Sequence, residues 1–236
     1  MTEHNPYQPP KSNVVATSNE VGKKLTIEEA LASSYDFDIS EVVKDAWTKV
    51  TGIKLPFFLG LLTIFAISII TGIIINFLPK GPATALNFII NLFISAMMAG
   101  FIALAIKHLN GQPIVFKDDF FSVSTILNVL VIAAFLTNLF TIIGIILLLI
   151  PGIYLSIAYC LTYWIIVDNP GIGAWQAMET SRKIVTKHWF KFFLLMFLLV
   201  CICFLSAIPL GIGIFWTFPL MILSIGTVYK KIFYAQ

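Results

Sequence analysis

From Lys54 onward the ionisable residues of this chain stand far apart, and the intervals between them dictate what it can fold into. Lys54 to Lys80 and Lys80 to Lys107 each enclose about 25 uncharged residues, enough for one helix across a ~30 Å hydrocarbon core. Asp119 to Asp168 encloses about 48 residues and Lys191 to Lys230 about 38, each too many for one helix and suited to two joined by a tight turn. Pro151-Gly152 and Pro209-Leu210-Gly211-Ile212-Gly213 mark the breaks, since proline fits the first turn of a new helix and glycine loosens the chain around it. The intervals predict an all-α polytopic membrane protein with six transmembrane helices in three hairpins, over about 55–78, 85–106, 123–145, 150–167, 192–208 and 212–229. Composition agrees. Only 11% of the residues are charged, against about 25% in soluble domains, too few to cover a water-facing surface.

The placement of Lys and Arg orients these spans. With the N-terminus inside, 14 of the 15 fall on cytoplasmic segments and Lys80 alone lies outside, so both termini are expected in the cytoplasm. Residues 1–40 are polar, open on Asn5-Pro6-Tyr7-Gln8-Pro9-Pro10 and lack an apolar signal-peptide core; they read as a disordered cytoplasmic tail before a membrane domain over 41–236. The net charge of +3 does not point to nucleic acid, because the cations lie beside apolar spans, where anionic lipid head groups are the natural counter-charge.

Two segments have helical amphipathicity. In residues 41–51, Val42, Val43, Ala46, Trp47 and Val50 share one arc; in residues 174–189, Trp175, Met178, Val185 and Trp189 oppose Gln176, Glu179, Thr180, Lys183 and Lys187. Both are expected to be interfacial helices on the inner leaflet, with basic side chains toward water. Val50-Thr51 with Phe57-Phe58-Leu59 recurs at the same spacing as Val185-Thr186 with Phe192-Phe193-Leu194, which suggests an internal repeat of interfacial helix plus hairpin.

The expected spans hold no ionisable residue, which counts against proton-coupled transport, paired-aspartate proteolysis and buried histidine ligation. Cys160, Cys201 and Cys203 lie in apolar runs and read as small hydrophobes; no metal, cofactor or catalytic residue is expected. Two sets of residues remain as candidates. Asn87, Asn91 and Asn138 form a polar intramembrane face, either packing helices together or lining a path for a solute or head group. Trp175, Arg182, Lys183, Lys187, His188 and Lys191 form a basic, tryptophan-flanked face for a lipid or partner.

Ile150-Pro151-Gly152-Ile153-Tyr154, then Trp175-Gln176-Ala177-Met178-Glu179-Thr180-Ser181-Arg182-Lys183 and Lys187-His188-Trp189-Phe190, resemble a group of uncharacterised bacterial inner-membrane proteins. That group is similar to the membrane domain fused to glycerophosphoryl diester phosphodiesterases. The resemblance implies a six-helix bundle in a bacterial inner membrane and lends no activity, because the chain has no room for the phosphodiesterase barrel. The resulting expectation is a non-enzymatic protein binding lipid or an envelope partner through its cytoplasmic face, with anionic membrane lipids, another protein or a homo-oligomer as the candidate partners. The alternative is a transporter or channel for an uncharged or amphiphilic solute.

Overall fold

The computed structural model describes residues 23–147, 149–208, 211 and 213–234, and among them every regular element is a helix. In chain order these are α1 (Ile27–Ala32), α2 (Ile39–Lys49), α3 (Lys54–Asn76), α4 (Lys80–Met97), α5 (Ala99–Leu109), α6 (Phe116–Phe121), α7 (Leu127–Leu147), α8 (Leu149–Ala158), α9 (Thr162–Asp168), α10 (Ala174–Lys187), α11 (Trp189–Ala207) and α12 (Ile214–Phe233). Five stretches among the described residues are long and apolar enough to cross a membrane: Lys54–Asn76, Lys80–Leu109, Phe116–Leu147, Leu149–Asp168 and Trp189–Ala207. They make this a multi-pass membrane protein.

The sixth expected span, 212–229, corresponds to α12, which falls outside that set. It carries Thr217, Pro219, Ser224, Thr227 and Tyr229 and ends in Lys230 and Lys231. It is also the most deeply packed of the long helices, touching α2, α3, α5 and α11. A helix covered by protein on most sides needs no lipid-facing apolar surface, so its sequence is free to be more polar than its neighbours.

Aromatic rings fill the core around it. Phe101 of α5 lies 5.1 Å from Phe57, 5.2 Å from Phe120 and 5.0 Å from Phe218 between ring centroids, mostly edge-on or tilted, as ring quadrupoles prefer. Across the bundle α7 and α8 form the closest hairpin, and its glycines act in packing rather than as loose turn residues. A Cβ on Gly144 would come within 2.9 Å of Gly152 Cα, and one on Gly152 within 2.7 Å of the Ile145 backbone nitrogen.

One end of the bundle gathers the basic segments. Lys230 Nζ donates to Leu109 O at 2.7 Å, and His108 Nε2 donates to Lys49 O at 2.7 Å. Lys231 pairs with Glu41 at 2.8 Å and Lys107 with the buried Asp119 at 2.5 Å. The first and last described residues meet there too, with Leu25 N donating to Phe233 O at 2.7 Å and Lys24 bridging to Tyr234.

Two expectations are corrected. Residues 1–22 of the expected disordered tail lie outside the described residues, but 23–40 are folded. Thr26 and Glu29 close a capping box on α1, which satisfies two otherwise orphaned amides, and Tyr35 and Phe37 are buried. The amphipathic faces of α2 and α10 are covered largely by protein: Val42 and Ala46 pack toward α12, and Ala177, Met178, Ile184 and Val185 are buried among α7, α8, α9 and α1, while Trp47 and Trp175 on the same faces stay exposed. Amphipathic periodicity says that a face must be covered and is silent on what covers it.

The hairpin contact makes a direct prediction. Gly152→Ala should destabilise the protein by about 1–3 kcal/mol, because the new methyl meets backbone that cannot rotate away. Gly72→Ala, where the same methyl meets open space, should be neutral or stabilising by up to about 1 kcal/mol. Thermal melting in detergent separates the two.

Candidate functional site

The six basic-face residues do not converge on one ligand. α10 starts after a turn at Asn169-Pro170-Gly171, where Gly171 takes φ +104°, and it presents Trp175 at one end and Lys187 at the other. Trp175 is 61% exposed and tilts against Phe140 at 5.9 Å, two turns of helix from Arg182. Arg182 clasps Glu179 through Nε at 3.0 Å and Nη2 at 2.8 Å, with Lys183 on the same carboxylate at 3.5 Å. That carboxylate holds the Arg182 pKa above its ordinary value, so the guanidinium stays charged at any relevant pH.

Lys187, His188 and Lys191 are engaged by the chain's own N-terminal segment. Lys187 donates to Leu31 O and Ser33 O, and Lys191 pairs with Asp36. Tyr35 packs edge-on to His188 at 4.9 Å and donates its hydroxyl to Ile184 O at 2.7 Å, while Phe37 packs edge-on to Phe192 at 5.2 Å. Residues 24–38 thus form a strap over the basic end. Its other end is held by Asp168, whose carboxylate pairs with Lys24 at 2.9 Å and accepts from Tyr229 at 2.8 Å and Tyr234 at 3.0 Å. Burial first, and then the Asp168 charge, push the Tyr234 phenol up to about 12.

Beside this end, α8 and α11 leave an open apolar cleft of about 570 Å³, lined by Ile150, Pro151, Ile153, Tyr154, Trp189 and Phe193. Trp189 and Phe193 stack at 5.4 Å and floor it. Its lip is polar. Thr186 donates its one hydroxyl proton to Arg182 O at 2.6 Å, so at the 2.7 Å contact between them Tyr154 is the donor and Thr186 the acceptor. The Arg182 guanidinium lies next to the Tyr154 hydroxyl. None of the sequence candidates lines this cleft; Arg182 reaches its lip through Tyr154.

The asparagines are brought together in part. Asn91 of α4 and Asn138 of α7 line one groove of about 330 Å³, and Asn87 adjoins it by accepting from Asn91 Nδ2 at 2.6 Å. Neither groove amide reaches across the groove: Asn91 also bonds Asn87 O, at 2.8 Å, and Asn138 Nδ2 bonds Ala134 O at 2.7 Å, each within its own helix.

Tyr35, Asp36, Tyr154, Thr186 and Asp168 were missed as site residues by the sequence reading. For the strap a signal existed, since Thr26-Ile27-Glu28-Glu29 is a capping-box pattern. Tyr154 and Thr186 are brought together only by tertiary packing.

In comparison with known proteins, residues 122–236 match a family model described as a protein of unknown function, DUF975. No curated protein and no solved structure matches the chain. The match bears on the expected likeness to an uncharacterised family and carries nothing on the phosphodiesterase membrane domain. It covers α7 to α12 and therefore the cleft, Arg182 and Asp168.

The strap is anchored more by rings than by charge. Exposed ion pairs contribute roughly 0.2–1 kcal/mol each, whereas deleting a buried ring costs about 3–5 kcal/mol. Tyr35→Ala should therefore raise amide exchange of residues 24–38 far more than Lys191→Ala, read by hydrogen-exchange mass spectrometry. The hydrogen bond from Lys191 holds the Asp36 carboxyl below its ordinary range. A depressed carboxylate stabilises above its unfolded pKa, about 3.9, and is lost only as pH falls through the lower folded value. The contribution of the Lys191–Asp36 pair to strap protection should accordingly be flat from pH 8 to about pH 4.

Proposed function

We propose that this is a non-enzymatic integral protein of a bacterial inner membrane that crosses it six times and holds a phospholipid in the α8/α11 cleft. The crossing number is supported by the contact of Leu25 with Phe233: a chain that enters and leaves at one end makes an even number of passages, and α12 supplies the passage beyond the five apolar stretches. The clustering of Lys49, Lys107, Lys191 and Lys230 at that end supports placing it, with both termini, in the cytoplasm. Exposed Trp47 suits head-group depth. The repeat reading is supported by matched burial, since Val50 and Phe57 are as buried as Val185 and Phe192.

One observation carries the lipid reading: an apolar cleft of ligand size ends at a polar lip made by Arg182, Tyr154 and Thr186. An acyl chain fits the cleft because its walls are aliphatic and aromatic. A phosphate fits the lip because Glu179 uses only two of the five guanidinium donors of Arg182, which leaves the others for an anion. Lys187 and Lys191 are less available, being held by the strap.

The test is native mass spectrometry of protein extracted in mild detergent and mixed with phosphatidylglycerol or phosphatidylethanolamine. The wild type should retain one phospholipid with a preference for phosphatidylglycerol. Ile153→Trp, which fills the cleft, should lose both lipids, and Arg182→Gln should lose the preference by about tenfold, the size of one charge-assisted hydrogen bond. Equal retention by wild type and Ile153→Trp would overturn the assignment. Solute flux in liposomes would favour the carrier reading instead.

A further inference from the structure

We infer that the groove between α4 and α7 is a contact surface for a second copy of this chain, paired through Asn91 and Asn138. The inference uses none of the cleft residues and stands whether or not the cleft takes a lipid.

The argument starts from depth. Asn91 lies 11 residues into α4 from Lys80, which at 1.5 Å per residue is ~16 Å, about half the thickness of the hydrocarbon core. Asn138 lies 11 residues into α7 and faces Asn91 across the groove. At this depth neither water nor a lipid head group is at hand, and a polar group left bare costs several kcal/mol by the general rule for bilayers.

Within one copy the amides are only partly used. Asn91 and Asn138 are exposed and line the groove; Asn91 gives its amide hydrogens to Asn87 O and Asn87 Oδ1, Asn138 gives one of its two to Ala134 O, and neither amide bonds across the groove. Ser95 joins them, while Phe88, Phe135 and Ile142 make up the apolar rim and are themselves exposed. A protein occupant is therefore called for, and the chemistry of the amide selects which one. Asn138 keeps an amide hydrogen to donate and Asn91 a carbonyl oxygen to accept, so the same face turned on itself about a twofold axis brings the donor of each copy to the acceptor of the other, as a buried asparagine pairs between helices. A partner of different sequence would need amides of its own at the same depth. The second copy already has them.

The test is carried out in liposomes at low protein density. In a chain with Cys160, Cys201 and Cys203 replaced by Ala, Phe88→Cys on the groove rim should cross-link into a dimer with a short bismaleimide, and Phe204→Cys, which is exposed on α11, should not. Equal cross-linking at both positions would mean random collision and overturn the proposal. Single-molecule photobleaching of the unmodified chain should show two-step traces. Asn91→Leu with Asn138→Leu should lower the two-step fraction by about tenfold, in line with a few interhelical hydrogen bonds in a bilayer. Asn91→Gln with Asn138→Gln, which keeps the amides, should retain most of it. One-step traces for the unmodified chain, or dimers indifferent to the Leu pair, would overturn it, as would a foreign protein of fixed mass in the native spectrum in place of the second copy.

Discussion

Inside a bilayer a hydroxyl, an amide or a free backbone group has no water to bond, and the fold is arranged around that shortage. Most hydroxyls turn back on their own helix: Thr63 donates to Leu59 O and Ser68 to Ile64 O, both at 2.8 Å. Ser206 and Thr217 bond each other at 2.8 Å where α11 meets α12. The most exacting case is the break between α8 and α9, where an apolar stretch is interrupted and backbone groups come free. Ser181, reaching in from α10, donates to Ala158 O at 2.7 Å and accepts from Leu161 N at 3.2 Å. α10 therefore has to pack against this stretch along its length, and that packing is what places Arg182 and Thr186 beside Tyr154. Among the described residues, the Thr162 hydroxyl is the buried side-chain group without a partner.

The same shortage explains what could be read from the sequence. Charge-free intervals located the apolar stretches closely, since Lys54–Asn76 and Trp189–Ala207 lie within a few residues of the ranges expected from Lys and Asp positions. Burial order was illegible. α12 looked like one more span of the outer set, yet it packs at the centre of the bundle, because hydropathy measures what a helix tolerates and not what surrounds it. The amphipathic helices fail for a related reason: Val42 and Ala46 were correctly placed on an apolar face, but that face meets α12 instead of lipid.

The strap was the larger omission. Its sequence is polar enough to resemble a tail, and its order rests on a few specific contacts, Tyr35 to Ile184 and Phe37 to Phe192 among them, that span about 150 positions of chain. Composition cannot encode such pairs. The consequence for the basic face is concrete: of the cations expected to meet lipid together, Lys187 and Lys191 are spent on the strap, and Arg182 is set apart beside the cleft. The three asparagines expected on one polar face are joined in part: Asn87 bonds Asn91 within α4, and Asn138 of α7 lines the same groove as Asn91.

Where polar needs are met internally the molecule has little left to bind with, so function belongs where they are not. The centre is closed on this reasoning. α12 fills it with Leu223, Tyr229, Ile232 and Phe233, all nearly without exposure, and Tyr229 is tied to Asp168. A solute passing through the middle would have to displace that helix and strip a buried carboxylate of its partners. The periphery asks for no such rearrangement. The α8/α11 cleft and the α4/α7 groove both open outward, one apolar with a cationic lip and one apolar with amides at mid-depth. The proposed lipid and second-copy readings both rest on these outward-facing surfaces.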